Sequence, residues 1–139
     1  DISITTDIIV GFPLESDDDF LETLETAKTI AFSKIHVFPY SIRNHTVAAT
    51  MKQVDGNVKK ERARQLLKLS RVLEEEYAQK FIGKSLMVLT ENSKDGFTYG
   101  HTGNYLYIKI KGIYPSDEMI NVKLKSMEYP YIIGEISNE

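Results

Sequence analysis

Cysteine is absent from the 139 residues of this chain. Its absence excludes disulfides, a thiolate nucleophile, and any zinc or iron–sulfur site whose ligands are cysteines of the chain itself. No apolar run comes near the ~20 residues that a membrane-spanning helix needs, and the first residues lack the basic and apolar segments of a secretory signal. With 42% hydrophobic and 27% charged residues, the composition predicts one or two soluble, unsecreted globular domains.

Charge is distributed unevenly along the chain, although the formal net charge is only −3. Residues 1–30 contain eight acids and one base, whereas residues 31–127 contain sixteen bases and nine acids. This asymmetry is compatible with a nucleic acid bound along the later part, but many solvated surfaces have similar patterns. Because the chain begins at Asp1, without an initiator methionine and close to a predicted strand, we expect a piece of a longer protein.

The first forty residues predict a strand, a helix and a second strand. Residues 3–10 end in a β-branched run before Gly11, which predicts a strand buried on both faces. Ser16 is a good N-cap for a helix over about 16–31, with three acids in its first turn and an approximate capping box. The second strand covers residues 34–40, and the long crossover implies parallel pairing with a right-handed connection.

Two strands and one helix cannot cover both faces of a sheet, and both strands would present open edges to water. We therefore expect this half to be the end of a larger α/β sheet. Alternatively, the next helix of the chain and a dimer partner complete the layer that covers the sheet.

A long helix is predicted over about 57–82, after an irregular connection at 41–56. Its apolar stripe consists of Leu66, Leu69, Leu73 and Tyr77. On another face, four cations fall at i, i+4, i+8 and i+11, namely Lys60, Arg64, Lys68 and Arg71. A solvated face is the favoured interpretation of this line of charge, and a contact surface for a phosphate backbone is the alternative.

From Gly83 onward the hydrophobic pattern has period two. It predicts short strands near 84–91, 97–102, 104–111, 119–126 and 131–136, separated by turn residues. Five such strands predict a small closed antiparallel barrel of the OB-like kind. The predicted domains are therefore 1–82, an α/β fragment with a connecting helix, and 83–139, an all-β barrel.

Alternation in the barrel predicts one face that combines rings and ammonium groups. If Leu106, Ile108 and Ile110 point inward, then the outward set comprises Tyr105, Tyr107, Lys109 and Lys111. A neighbouring strand repeats the pattern, with Val122 and Leu124 inward and Lys123 and Lys125 outward. An unpaired RNA strand needs such a surface, because its bases stack on rings at ~1–3 kcal/mol each and its phosphates need cations. Alternatively, tyrosines simply favour strands and lysines protect edges.

The sequence contains no complete active site. Its three histidines, His36, His45 and His101, have no metal-ligand spacing, and helix capping explains the acidic run 17–19. There is no glycine-rich phosphate loop, nucleophile elbow or Ser/His/Asp set. From the residues alone, we predict neither a catalytic group nor a metal site in this chain.

Five segments in order resemble the C-terminal third of a radical SAM methylthiotransferase with its TRAM domain, over about residues 3–136. They are T-D-I-I-V-G-F-P-x-E (6–15), H-V-F-P-Y-S-x-R-x-x-T-x-A-A (36–49), K-K-E-R (59–62), K-F-I-G-K (80–84) and D-G-F-x-x-G-H-T-x-N-Y (95–105). The form H-V-F-P-Y-S is similar to the branch that methylthiolates N6-threonylcarbamoyladenosine in tRNA, next to the anticodon. The methylthiotransferases that act on a ribosomal protein share the architecture.

The resemblance implies a cytoplasmic transferase that uses S-adenosylmethionine and two 4Fe-4S clusters, whose ligands would lie outside this chain. Residues 1–82 would be the last strand–helix–strand of a partial TIM barrel with its connecting helix, and residues 83–139 would be the TRAM barrel that binds tRNA. The chain should be inactive alone, and the resemblance leaves its oligomeric state open. A non-catalytic OB-like RNA-binding module remains the alternative from a different class.

The resemblance also implies roles for individual residues. Ile9 would lie against adenine, Gly11 would allow close backbone approach, and Phe38 and Tyr40 would line the adenine pocket. Arg43 would face the cleft and meet a carboxylate or a phosphate. The family usually has G-F-P-G-E-T and R-x-G-T-P-A-A, and this chain departs from that pattern at Leu14, Ser16, His45 and Val47. The departures place the backbone of both loops in question.

Overall fold

The computed structural model describes residues 2–137 and divides them into two compact units. One is Ile4–Glu74, and the other comprises residues 75–137 together with residues 2–3. The first unit contains β1 (Thr5–Val10), α1 (Asp17–Ile30), β2 (Lys34–Pro39), α2 (Val47–Thr50) and most of α3 (Gly56–Gln79). The second contains β3 (Ser85–Lys94), β4 (Phe97–Thr102), β5 (Tyr107–Lys111), β6 (Met119–Glu128) and β7 (Tyr131–Ile136). The division thus falls within α3, and the sequence had placed it near Gly83. None of the helices in residues 2–137 has the length and apolar character needed to cross a membrane.

The N-terminus of α1 has the capping box that the sequence predicts. The Ser16 hydroxyl accepts a hydrogen bond from the Asp19 amide at 3.1 Å, and the Asp19 carboxylate accepts one from the Ser16 amide at 3.0 Å. These hydrogen bonds, led by the one from the Ser16 backbone, lower the pKa of Asp19. The helix ends at Ala31, which adopts the left-handed conformation with φ 57°. Side-chain capping therefore defines the start of α1, and a backbone hydrogen bond from the Ala31 amide to the Ala27 carbonyl defines its end.

Strands β1 and β2 pair in parallel, from Thr5 opposite Lys34 to Val10 opposite Pro39, as predicted. Their inner face packs on α1 and α3 in a core of Val10, Phe20, Ala27, Ile35, Leu66 and Leu73. The prediction that β1 is buried on both faces is wrong for this chain, since Thr5, Asp7 and Ile9 are exposed. The reason is that the two helices cover only one side of the pair.

Helix α3 carries the predicted apolar stripe. Leu66 and Leu73 are buried in the first unit, and Tyr77 packs against the core of the second. In the predicted line of cations, the Arg64 guanidinium pairs with Glu61 at 2.7 Å. The Arg64 hydrogen bond, with help from Gln65, lowers the pKa of Glu61 to about 2. This part of the line is therefore neutralised within the helix.

The five strands of the second unit close into a barrel in the order β3-β4-β5-β7-β6, because β3 also pairs with β6. The prediction of an entirely antiparallel barrel is wrong, since β5 and β7 run parallel from Ile108 opposite Ile132 to Ile110 opposite Gly134. A closed ring with an odd number of strands cannot alternate in direction throughout, so one neighbouring pair must be parallel. The barrel core contains the predicted inward residues Leu106, Ile108, Ile110, Val122 and Leu124.

Candidate functional site

A cavity of about 640 Å³ lies at the carboxyl ends of β1 and β2. We call it the strand-end cavity. It is lined by Asp7, Ile9, Phe12, Phe38, Pro39, Tyr40, Ser41, Arg43, Thr46 and Ala48. The structure thus brings together Ile9, Phe38, Tyr40 and Arg43, four residues for which the resemblance implies ligand binding.

The strand-end cavity has an apolar wall. Ile9 and Phe38 are cross-strand partners on the uncovered face of the sheet, and they are 56% and 51% exposed. The rings of Phe12 and Tyr40 meet edge to face, with centroids 5.3 Å apart and an interplanar angle of 74°. Large apolar side chains gathered at an exposed concave surface are typical of a ligand site, and a planar aromatic group would cover this wall.

Charged and polar groups complete the lining. Asp7 on β1 and Arg43 after β2 supply opposite charges. The Arg43 segment is held locally, because the Thr46 hydroxyl donates to the Arg43 carbonyl at 2.7 Å and accepts from the Ala49 amide at 3.3 Å as the N-cap of α2. The cavity can therefore receive a ligand with both an aromatic and an ionic part.

The two loops have left-handed backbone at the two positions where the family that the sequence resembles usually has glycine. Leu14 has φ 71° and His45 has φ 68°, values that cost a non-glycine residue about 1 kcal/mol or more. Val47 replaces the usual proline at the first residue of α2, a position that proline favours because its φ suits a helix start. Leu14 and His45 therefore place larger side chains on a backbone conformation that suits glycine, and the backbone at these two residues is strained.

Gly11 lies where β1 ends, with φ +75°. A Cβ at this position would collide with the side-chain carbons of Lys59 from α3. The requirement for glycine therefore has a cause within the chain, in addition to the ligand approach that the resemblance implies.

The outward faces of β4, β5 and β7 carry a ring cluster, which we call the barrel face. The ring of His101 stacks on Tyr107 with centroids 4.5 Å apart and an interplanar angle of 2°. Tyr131 lies 4.8 Å from Tyr107 and 5.1 Å from Tyr99 between ring centroids. Burial, with smaller contributions from Tyr131, Glu91 and Tyr99, raises the pKa of Tyr107, so this ring stays neutral at physiological pH.

Of the rings on this face the sequence predicts only Tyr107, and it also predicts Lys109 and Lys111 on the outward side of the same strand. The additional rings come from β4 and β7, namely Phe97, Tyr99, His101 and Tyr131. The sequence of β4 does contain a pattern that indicates this face, because Phe97, Tyr99 and His101 alternate with the buried Thr98, Gly100 and Thr102. The pairing of His101 with Tyr107 and of Tyr99 with Lys109 then brings the two strands' side chains side by side.

The prediction that Tyr105 shares this face is wrong. Strand β5 begins only at Tyr107, and Tyr105 lies in the preceding turn with φ 64°. Its amide donates to the Thr102 carbonyl at 3.0 Å, which interrupts the alternation. Tyr105 is 78% exposed and lies outside the strand.

The predicted lysines of the barrel differ in their surroundings. The ammonium of Lys109 lies 4.4 Å from the Phe97 ring centroid and 3.7 Å from the Glu128 carboxylate. Lys125 pairs with Glu135 at 3.6 Å. Lys111 and Lys123 point outward and are exposed, as predicted. Lys109 is therefore part of the ring cluster, and Lys111 and Lys123 are the more accessible cations.

Within residues 2–137 no three His, Asp or Glu side chains are grouped so as to hold a metal ion.

No protein-family model matches the chain. It is 38% identical to the threonylcarbamoyladenosine tRNA methylthiotransferase MtaB of Bacillus subtilis, over 96% of its own length and 31% of the relative. It is 35% identical to a probable threonylcarbamoyladenosine tRNA methylthiotransferase of Archaeoglobus fulgidus, over 100% of the chain and 32% of the relative. It is also 37% identical to the tRNA-2-methylthio-N(6)-dimethylallyladenosine synthase of Aliarcobacter butzleri, over 99% of the chain and 32% of the relative. The chain spans about a third of the length of these curated relatives.

Proposed function

We propose that this chain, which belongs to the tRNA methylthiotransferase family, is the C-terminal part of a radical SAM enzyme that methylthiolates N6-threonylcarbamoyladenosine in tRNA near the anticodon. The observation that carries the proposal is the identity, across nearly the whole chain, to relatives whose names specify tRNA methylthiotransfer. On this proposal, the first unit completes the S-adenosylmethionine pocket, and the barrel is a TRAM domain of OB-like topology that binds tRNA.

The residues of the strand-end cavity fit S-adenosylmethionine. Ile9, Phe38 and Tyr40 would hold the adenine, since they form the exposed apolar wall. Asp7 would face the positively charged part of the ligand. When bound, S-adenosylmethionine would supply the radical that activates the C–H bond. This chain's own part is to bind and orient the adenine, and the apolar wall would exclude water from it.

The residues present do not fit an iron–sulfur cluster, because the sequence offers no thiolate ligand. The two 4Fe-4S clusters of the proposed enzyme would therefore be ligated by residues outside this chain. The chain alone should be inactive, and it contributes no catalytic residue of its own to the proposal.

The barrel face supports the proposal of tRNA binding. His101 and Tyr107 cover one plane of each other's ring, so an unpaired base would stack on the other side of this pair or on Tyr131, at ~1–3 kcal/mol per stacked base. Lys111 and Lys123 offer exposed cations for phosphates. Lys109 and Lys125 would contribute after exchanging their carboxylate partners, Glu128 and Glu135, for phosphate. Tyr105, in its exposed turn, would be an outlying contact.

The choice of modified adenosine depends on the loop after β2. Relatives named for the threonylcarbamoyl and the dimethylallyl nucleosides have similar identities, 38% and 37%, so overall identity does not separate the two substrates. The segment H-V-F-P-Y-S favours the threonylcarbamoyl branch. Arg43 would meet the carboxylate of the threonyl group, which a dimethylallyl group lacks.

Nucleoside analysis by mass spectrometry tests the proposal. The tRNA of a strain that lacks the gene for this protein should lose the methylthio derivative of threonylcarbamoyladenosine and accumulate its precursor. Loss of the dimethylallyl derivative instead would move the substrate to the other branch. Unchanged tRNA, together with loss of a methylthio group from a ribosomal protein, would contradict the tRNA assignment. If both modifications are unchanged, the non-catalytic RNA-binding alternative takes its place.

A further inference from the structure

Two cations of α3 approach the loops of the strand-end cavity without being part of its lining, Lys59 and Arg62. Arg62 is only 5% exposed. Arginine is seldom buried unless it is paired, so the partners of this guanidinium show what it does.

Arg62 holds the loop that follows β1. Its Nη1 donates to the Glu15 carboxylate at 2.7 Å and to the Glu15 carbonyl at 3.0 Å, and its Nη2 donates to the Asp17 carboxylate at 2.9 Å. The same Glu15 oxygen, Oε1, accepts the Gly11 amide at 2.8 Å. The Glu15 amide in turn donates to the Phe12 carbonyl at 2.9 Å. One buried guanidinium therefore ties together the loop that carries Phe12.

Lys59 holds the end of β2. Its ammonium donates to the Tyr40 carbonyl at 3.0 Å and lies 5.7 Å from the Tyr40 ring centroid. Its side-chain carbons occupy the space that a Cβ at Gly11 would need. Lys59 thus contacts the ends of both strands, and glycine at position 11 permits that approach.

The hydrogen bonds of Arg62 and Lys59 hold the two segments whose rings meet in the cavity. Phe12 belongs to the loop held by Arg62, and Tyr40 to the strand end held by Lys59, while the rings themselves are 5.3 Å apart. The two cations are three residues apart, so they lie on one face of α3. A single rigid element therefore sets the separation of Phe12 and Tyr40.

We propose that Arg62 and Lys59 are positioning residues of the strand-end cavity: they hold the post-β1 loop and the end of β2 in the arrangement that receives the ligand. The identity of that ligand as S-adenosylmethionine rests on the function proposed above. The positioning itself rests on the contacts of Arg62 and Lys59 alone.

The test uses the whole protein that carries this chain and compares Arg62→Lys with the control Arg64→Lys. Lysine keeps the charge at position 62 but cannot make the forked contact to Glu15 and Asp17. Arg64 is on the same helix and pairs on its exposed side with Glu61. Two quantities are measured: hydrogen exchange of the peptide covering residues 11–17, and the dissociation constant for S-adenosylmethionine by equilibrium dialysis.

For Arg62→Lys we expect exchange in residues 11–17 to accelerate about 10-fold and the dissociation constant to rise about 10-fold. Exchange in β5 should stay unchanged, and Arg64→Lys should change neither quantity. Wild-type exchange in residues 11–17 would overturn the proposal. Faster exchange with unchanged affinity for S-adenosylmethionine would also overturn the proposal, because the Arg62 hydrogen bonds would then stabilise the loop without affecting binding.

Lys59→Met provides the second variant, in case the Arg62 variant does not fold. Methionine retains the packing beside Gly11 and removes the bond to the Tyr40 carbonyl, so affinity should fall about 3-fold while exchange in residues 11–17 stays close to wild type. Unchanged affinity would contradict the role of Lys59. If exchange in the Arg62 variant accelerates but the wild-type protein binds no S-adenosylmethionine, then Arg62 does hold the loop and the proposed identity of the cofactor is wrong. The two ideas are therefore separable.

Discussion

The barrel and the first unit differ in how their strands find partners. Each barrel strand pairs with two others, so the ladder closes, and the inward side chains of Val88, Ile108 and Leu124 are fully buried. Among the residues described, β1 and β2 pair only with each other, and their uncovered face exposes Ile9 and Phe38. The barrel thus closes its own hydrogen-bond ladder, although Met87, Leu89 and Met119 are exposed on it, whereas the first unit has an open strand pair with an apolar surface at its strand-end cavity. A surface that the chain leaves uncovered is where a ligand contributes most.

Hydrogen exchange of the chain gives the largest expected difference between the two units. Amides of β5 and β7 should exchange on the order of 100-fold more slowly than those of β1, because opening the barrel breaks a closed ladder and β1 has an open edge. Backbone NMR resolves the individual amides. Equal or slower exchange in β1 would contradict the comparison.

Paired isoleucine truncations sharpen the same comparison. Ile132→Ala in the barrel core, where the side chain is 2% exposed, should cost about 3 kcal/mol. Ile9→Ala, at a side chain 56% exposed, should cost less than about 0.5 kcal/mol. Urea unfolding followed by NMR signals of each unit measures both free energies. Similar losses at the two positions would show that the uncovered face is packed in solution.

Glycine at a left-handed position should stabilise the first unit slightly. His45→Gly removes the strain of a side chain at φ 68° and should raise the free energy of unfolding by about 0.5–1 kcal/mol. The neighbouring Asn44→Gly is the control, since Asn44 has no positive φ and should gain nothing. The same unfolding experiment measures both variants. A loss of stability in His45→Gly would mean that the imidazole makes a stabilising contact.

The smallest effect concerns the ion pair on α3. The hydrogen bond from Arg64 holds the pKa of Glu61 at about 2, below the ordinary 4.5. A lowered pKa means that the pair stabilises the fold above the ordinary value and that this contribution is lost as pH falls through about 2. NMR titration of the Glu61 carboxylate should give a midpoint near 2, and Arg64→Met should return it toward 4.5. A wild-type midpoint near 4.5 would contradict the pair.

Local rules made much of the fold predictable. The capping box of Ser16 and Asp19, the parallel strand pair and the alternation around Ile108 each depend on neighbouring residues or on one short pattern. The parallel β5–β7 pair was also within reach, since five strands in a closed ring require it. The alternation of side chains identifies each strand but does not indicate which strands meet to close the ring.

Contacts between distant residues were not predictable in this way. Arg62 and Glu15 are 47 residues apart, and no periodicity connects them. Similarly, the ring cluster on the barrel face joins His101, Tyr107 and Tyr131 from three strands, and their register appears only once the barrel closes. The motif resemblance identified four residues of the strand-end cavity without indicating what holds them in place.

The proposed function assigns the strand-end cavity to the cofactor and the barrel face to tRNA. A crossed measurement on the whole protein tests it, with affinities for S-adenosylmethionine and for tRNA determined for Phe38→Ala and Tyr107→Leu. Phe38→Ala should weaken only S-adenosylmethionine binding, and Tyr107→Leu should weaken only tRNA binding. Each affinity should fall roughly 10-fold, which lies within the ~1–3 kcal/mol expected for one lost stacking contact. If Tyr107→Leu leaves tRNA affinity unchanged, or if Phe38→Ala weakens tRNA binding alone, the assignment of the two surfaces is wrong.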